Sequence, residues 1–539
     1  LNVSAVCTGS SIGVFERLSR IRLAKSLSTK LVFGPDFETF VQERWPWDIS
    51  RGEAAWFLRA SSGDAILNMV KVTKNAGAGP GYLVVEEAGQ GTRIVNLKKG
   101  DPRAEQMAVK ALDYIMEEFR KGTKISELFA QFPDLFISQM KAKLDYHKCE
   151  DIFGTNIFGQ KVNKPRKTRP YFAFQFHLSL LFSVITQFIG DCQVNYQQNP
   201  KSWSMIGHSW MHGGTQKLWD FLNGQGDYAN PDVIHCLFYG DDAVYRFLFR
   251  IAGQVVMVIW CPDVRGMDFT VLDEETLGFS DHTVKRVKKM LDSSEGVKAS
   301  KGLFPPAWEA ASNLWGICAV HCPFLFVGKH RVSLTSGLRS GIPGTTYFDE
   351  WKSFRIFWWL KVPLEKGLAK IQSQFSSEPY TPETVEKLLK SVQDLLNDLC
   401  RKMKAKTGVE IKEDTRTCYV PDTFRPEKFS SRAVTPYTIL GYKLTKVGEA
   451  VVPIKPIDDL WRSLIKPRQN YVNGLVADMA ELERLRGIAI CGGWLYPGTF
   501  AFLQKYFKDR RATGKITINP KSLGKPKSYD LYPLSSVPA

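Results

Sequence analysis

Cysteine is scarce in this chain, with ten in 539 residues. That is too few for a disulfide-stapled extracellular framework and points to reduced thiols in a cytosolic setting. Long apolar runs are missing as well. The two most apolar stretches, Val255–Cys261 and Leu314–Gly328, fall short of the roughly 20 residues a membrane helix needs, and the second contains His321 and Pro323. No internal repeat or low-complexity tract stands out, which argues against a solenoid or a fibre. The 42 glycines and 28 prolines are near average usage and argue against long disorder. The residues after Leu1 lack the charged-then-apolar pattern of a signal peptide, so a processed chain or an upstream start is expected. The glycine-rich stretch Asn75–Tyr82 lacks the Gly-Lys-Ser/Thr ending of a phosphate loop and reads as a turn.

What is present suggests an ordered protein of about three lobes, at roughly 100–200 residues per domain. Apolar residues make up 44% and charged residues 24%, both ordinary for a globular chain. The charge balance is not ordinary. Lys and Arg number 72 against 55 Asp and Glu, a net charge of +17, which favours a polyanionic partner, either nucleic acid or an anionic membrane surface. A basic tail carries eight Lys/Arg between Lys505 and Lys527 against one acid, Asp509. Cys318, His321 and Cys322 are close enough to begin a zinc site, but no second ligand pair follows at a suitable distance, and a buried apolar segment is the better reading. Val385, Leu388, Leu389, Val392, Leu395, Leu396, Leu399 and Met403 predict an amphipathic helix starting near Thr381-Pro382. Val284, Val287 and Leu291 predict another from Ser280.

The most informative segment is Val233–Phe249. Two apolar, aromatic-rich runs flank Gly240-Asp241-Asp242, which predicts a β-hairpin with carboxylates at its tip. Val255–Trp260 is a second strand, ending at Asp263, with Asp268 five residues on past a turn at Gly266. Carboxylates delivered by separate strands to one sheet edge can hold two Mg²⁺ (or Mn²⁺) ions about 3.5–4 Å apart, the arrangement for in-line phosphoryl transfer. Ser340-Gly341-Ile342-Pro343-Gly344-Thr345 is a small-residue loop leading through Asp349 into an aromatic-rich helix. Lys161–Pro170 holds five basic residues, Lys164, Lys167 and Arg169 among them, and no acid, beside an aromatic run. Such a segment suits triphosphate or RNA phosphates.

Taken together, these segments resemble the motifs of viral RNA-dependent RNA polymerases. Tyr239-Gly240-Asp241-Asp242 is similar to motif C, Asp263 with Asp268 to motif A, Ser340-Gly341 with Thr345 and Asp349 to motif B, and Lys167-Thr168-Arg169 to motif F. The usual order is A, B, C; here it is C, A, B. That permutation and the Gly-Asp-Asp triplet resemble permutotetravirus enzymes of the Thosea asigna virus type, and next the birnavirus polymerases. The motif match spans residues 161–445. Asp349 stands where the family usually has Asn. Ile439–Leu444 is similar to motif E, and Lys412 and Lys428 are candidates for the motif D lysine.

The resemblance implies an α+β right-hand polymerase with a permuted antiparallel palm sheet. It implies an N-terminal extension over 1–50 that bridges the lobes, fingers over 51–230 with an insert at 273–330, palm over 231–272 and 331–440, and thumb with a basic tail over 441–539. Asp241, Asp242 and Asp263 would hold two Mg²⁺ (or Mn²⁺) ions. Lys164, Lys167 and Arg169 would meet the triphosphate, and Asp268 the ribose 2′-hydroxyl, with Ser340, Gly341, Thr345 and Asp349 around it. Partners would be RNA template, nascent RNA, NTPs and a protein primer, either the chain itself or a genome-linked protein. The setting would be the host cytoplasm or the virion. Three rivals stay open: a reverse transcriptase, separable by rNTP against dNTP use; a non-enzymatic RNA-packaging protein, separable by Mg²⁺ dependence; and a template-independent nucleotidyltransferase.

Overall fold

The computed structural model of the chain describes residues 35–48, 62–89, 91–143, 153–155, 161–163, 169–229, 231–293, 306–326, 330–334, 336–421, 435, 438–447, 449–457, 459–461, 485, 487–489, 492 and 496–512. Helix α1 (Pro35–Arg44) comes first, then α2 (Gly63–Met69), a hairpin of β1 (Leu83–Ala88) and β2 (Gly91–Asn96), α3 (Pro102–Arg120) and α4 (Ile125–Gln131). Strand β3 (Ser138–Lys143), the ribbon β4 (Phe153–Thr155) and β5 (Lys161–Asn163), and β6 (Arg169–Phe174) lead to the apolar helix α5 (Phe176–Cys192). After α6 (Thr215–Asn223) comes a meander of β7 (Ile234–Tyr239), β8 (Asp242–Ile251) and β9 (Gln254–Trp260). Then follow α7 (Met267–Thr270), α8 (Asp273–Ser293), α9 (Pro306–His321), β10 (Phe324–Phe326), β11 (His330–Val332), α10 (Thr345–Phe375) and α11 (Pro382–Thr407). Strands β12 (Cys418–Tyr419), β13 (Lys443–Val447) and β14 (Ala450–Ile454) and helix α12 (Pro497–Ala512) complete the described elements.

Two four-stranded sheets organise these elements. One has the order β11–β10–β3–β6 and ties residues 138–174 to 324–332 across a long stretch of chain. The other, β12–β9–β8–β7, is antiparallel throughout. Its two tight turns use residues suited to them. Gly240 has φ +60°, and Ala252-Gly253 has φ +47° and +79°, as a two-residue hairpin of the primed type requires. Alternation then sorts the side chains. Tyr245, Phe247, Phe249 and Ile251 of β8 join the main core, whereas Val244 joins a smaller core with Leu218 and Phe221 of α6 and Ile439.

Helix α10 runs through the main core, and Phe354 is its hub. The ring lies 5.0 Å from Phe238 of β7, 5.7 Å from Trp45 and 6.3 Å from both Phe40 and Trp203. Each such pair adds about 0.5–1.5 kcal/mol beyond the area it buries. Trp45 also stacks on Phe279 of α8. Residues 35–48 thus contact α8 and α10, and the Arg44 carbonyl accepts from Trp203 N at 2.6 Å.

Two helix starts are instructive. Thr381 caps α11 by accepting from Thr384 N, as the sequence suggests. Helix α8 begins at Asp273 rather than Ser280. Its first turn, Asp273-Glu274-Glu275, suits the positive end of a helix dipole, and Glu275 Oε2 accepts the Leu272 N–H at 2.9 Å. That acidic turn carries no apolar periodicity, so spacing alone starts the helix too late. Among the described residues no helix is long and apolar enough to cross a membrane.

Candidate active site

The tip of the β7–β8 hairpin is held by helix α10. A Cβ on Gly240 would come within 3.2 Å of Thr346 Cγ2, so this position needs glycine for close approach as well as for its positive φ. Ser353 Oγ donates to the Gly240 carbonyl at 2.7 Å. The register of β8 with β9 continues past the end of β9, so Asp242 lies opposite Asp263. Cross-strand neighbours have Cβ atoms about 4.5–5.5 Å apart. The permuted order therefore reflects a plain meander, in which the start of β8 and the exit of β9 share one edge.

Asp263 is clamped from the 410–415 segment. Its N–H donates to Thr415 Oγ1 at 3.0 Å, and its carbonyl accepts from Lys412 N at 2.9 Å. The Lys412 ammonium forms an ion pair with the Asp263 carboxylate. Arg265 N donates to the Glu410 carbonyl at 2.7 Å, extending the same pairing. Lys412 thus stands beside the carboxylates, whereas Lys428 lies outside the described residues. A cavity of about 90 Å³ opens against the pair, lined by Asp242, Asp263, Cys261, Thr415, Thr438 and Ile439. It admits a few water-sized groups but is far smaller than the roughly 300 Å³ of a nucleotide-sized pocket.

The electrostatics follow from the crowding. Burial pushes the Asp242 carboxyl up to about 7, the negative charges of Asp241 and Asp263 add to this, and Lys412 opposes it. Asp349 is buried, carries an Oδ1 without a hydrogen-bond partner, and shares a hydrogen bond with Asp268. Burial first, then Asp268 and Asp241, hold its carboxyl well above the usual range. Glu350, fully buried beside Ser204 and the Gly240 backbone, is also pushed well up by burial.

Asp268 stands in the first turn of α7 behind Gly266, whose φ is +61°. Its carbonyl accepts from Leu338 N at 2.7 Å, which fastens α7 to the segment before the small-residue loop. In that loop the Ser340 carbonyl accepts from Phe172 N of β6 at 2.7 Å, and a Cβ on Gly341 would meet the Phe172 carbonyl at 2.4 Å. The Thr345 hydroxyl donates to the Ile342 carbonyl at 2.8 Å and accepts from Gly341 N at 3.2 Å, so it shapes the loop from within. Of the basic segment, Lys164 and Lys167 lie outside the described residues, and Arg169 opens β6.

Asp241, Asp242, Asp263, Asp268 and Asp349 form one chain of electrostatic neighbours. Carboxylate oxygens packed this closely fit hard divalent cations such as Mg²⁺ or Mn²⁺. Among the described residues no three metal-binding side chains already surround one point; Asp263 is engaged by Lys412 and Asp349 by Asp268. Cys318 and Cys322 are buried, Cys322 Sγ lies 3.7 Å from the Phe136 carbonyl, and His321 pairs with Asp273 at 3.1 Å. That segment is core. The Asp263 clamp from Thr415, the Gly240 contact from Ser353 and the buried Glu350 carry no motif signal. Each depends on contacts over roughly a hundred positions or more.

A family model described as the permutotetravirus RNA-dependent RNA polymerase palm domain matches residues 51–360, more than half of the chain. The chain belongs to that family. Among solved structures, the fold is similar to a polymerase in the birnavirus VP1–VP3 complex, at 17% identity and a TM-score of 0.61, covering 94% of this chain and 63% of that one. It is also similar to the RNA polymerase VP1 from Infectious Pancreatic Necrosis Virus, at 16% identity and a TM-score of 0.60, covering 98% of this chain and 66% of that one. The chain therefore spans less than two thirds of the length of these two birnavirus chains. No curated protein matches it. The fold is the right-hand polymerase fold with a permuted antiparallel palm.

Proposed function

We propose that this chain carries out template-directed RNA synthesis from NTPs, replicating and transcribing a viral RNA genome. The observation that carries the reading is the cross-strand pairing of Asp242 with Asp263 at the edge that also holds Asp241. Residues 231–272 and 331–440 act as palm, 51–230 and 273–330 as fingers, and 441–539 as thumb and basic tail, with residues 1–50 as a bridging extension. The sheet shared by residues 138–174 and 324–332 supports grouping the 273–330 insert with the first part of the fingers.

In this reading Asp241, Asp242 and Asp263 hold two Mg²⁺ (or Mn²⁺) ions. When bound, the metals lower the pKa of the primer 3′-hydroxyl and neutralise charge on the triphosphate. The chain's residues do the positioning. The Thr415 and Lys412 backbone contacts fix Asp263, and α10 fixes the hairpin tip through Ser353. Lys412, now paired with Asp263, would have to release that carboxylate for it to face a cation. Lys164, Lys167 and Arg169 receive the triphosphate with charge-assisted contacts. Asp268 accepts from the ribose 2′-hydroxyl beside Asp349, on the edge supported by the Ser340–Thr345 loop. RNA template, nascent strand and a protein primer are the partners, in the host cytoplasm or the virion.

The test is extension of a primed RNA template by the purified protein, with and without Mg²⁺, using matched rNTPs and dNTPs. Template-matched, metal-dependent rNTP incorporation is expected. Preference for dNTPs would make the chain a reverse transcriptase, RNA binding without extension a packaging protein, and product unrelated to template a terminal nucleotidyltransferase.

A further inference from the structure

Three charged side chains are buried together away from the catalytic carboxylates. Glu275, Lys352 and Arg355 are only 1%, 2% and 5% exposed. The Lys352 ammonium donates to both Glu275 oxygens, at 2.8 and 3.0 Å, and to the Thr270 carbonyl at 3.0 Å. Arg355 Nη1 lies 3.0 Å from Glu275 Oε1, and Glu275 Oε2 also accepts the Leu272 N–H. Two cations and one anion in a core are a poor way to gain stability, since well-packed apolar residues of similar volume do as well or better. Their attested use is to fix register between elements.

The elements fixed here are particular ones. Thr270 ends α7, whose first turn holds Asp268. Lys352 lies three residues beyond Asp349 on α10, so the two share one helix face. That face therefore meets α7 twice, through Asp349 to Asp268 and through Lys352 to the Thr270 carbonyl. Glu275 locks the second contact to the start of α8. Slippage of α10 along α7 would separate Asp349 from Asp268, and the Lys352 contact opposes it. We propose that the Glu275–Lys352–Arg355 cluster is the positioning device that sets Asp268 against Asp349, and so sets selection of ribose over deoxyribose. This rests on the ribose-sensing role proposed for Asp268.

Lys352→Met tests it. The substitution removes the tie to α7 and the two Lys352–Glu275 hydrogen bonds but leaves a neutral Glu275–Arg355 pair, so the protein should still fold. The ratio of kcat/KM for an rNTP to that for the matched dNTP should fall about tenfold or more, because a small displacement of a group that recognises one hydroxyl removes much of its discrimination. RNA affinity should not change. If Lys352→Met unfolds the protein, the triple variant Glu275→Leu, Lys352→Met, Arg355→Met replaces the whole cluster by apolar groups and takes the same measurement. Asp268→Ala is run alongside. Discrimination kept by a folded Lys352→Met or triple variant but lost in Asp268→Ala overturns the positioning role alone. Discrimination kept in Asp268→Ala refutes the ribose-sensing role and the inference with it.

Discussion

Replacing Asp242 with Asn should make the metal-free protein more stable at pH 8 while destroying its activity. Burial beside Asp241 and Asp263 lifts the Asp242 carboxyl from 3.8 to about 7. A folded-state value above the unfolded one means the folded protein binds the extra proton. The resulting cost is absent below about pH 4, grows as pH rises toward 7, and is constant above. At about 1.4 kcal/mol per pH unit the upper bound is about 4 kcal/mol. Asp242 is exposed to solvent, and screening of such a group reduces the figure to about 1–2 kcal/mol. At roughly 2–4 °C per kcal/mol for a domain of 150–250 residues, the Tm gain is about 2–8 °C. Thermal melts in chelator from pH 4 to 8 measure it, and a series with added Mg²⁺ should stabilise wild type more than the variant. A variant no more stable than wild type at pH 8, or a gap that does not shrink toward pH 4, refutes the reasoning.

Asp241→Ala and Asp263→Ala should each lower primer extension about a thousandfold, the loss expected when several kcal/mol of metal-borne transition-state stabilisation are removed, with filter-binding affinity for RNA nearly unchanged. Activity within tenfold of wild type would withdraw these residues from the site. Asp268→Ala should erode the rNTP preference by roughly a hundredfold, whereas Asp349→Asn, which preserves both donor and acceptor capacity, should be tolerated and should hold its activity to higher pH than wild type. The matched kcat/KM ratios decide, and the reverse pattern exchanges the two roles. Lys167→Ala or Arg169→Ala should raise the KM for NTP. A change confined to RNA affinity and its salt dependence would instead put these residues on the template path.

The parts of the site read most directly from sequence are those with a period or a turn signal. Val233–Phe249 carries two apolar runs about a Gly-Asp turn, so the β7–β8 hairpin follows from local chemistry. Asp263 and Asp268 could be placed because a continuous apolar strand and a glycine precede them. Helix α11 was legible down to its Thr381 cap. Legibility stops where a residue acts through distant partners. Glu275 looks like one acid in an acidic run, and Lys352 and Arg355 look like surface charges in an aromatic helix. Only the packing of α8 on α10 shows that they meet in the core. The departure at Asp349 was visible as a letter, but its burial against Asp268 was not.

The meander has a kinetic consequence. Asp241 and Asp263 are 22 positions apart, joined by two hairpins that close through adjacent strands. Contacts of such short sequence separation carry a small loop-closure cost, and isolated hairpins form in about 1–10 μs. The Asp268–Asp349 contact is different, since Asp268 must meet Asp349, 81 positions later. On a nascent chain, which folds from its N-terminal side during synthesis, the Asp241–Asp263 edge can therefore pair before α10 exists. The carboxylates of the hairpin and of Asp263 come together first, and the contacts that fix them, from Ser353 of α10 and from Lys412 and Thr415, arrive later together with the Asp268–Asp349 contact.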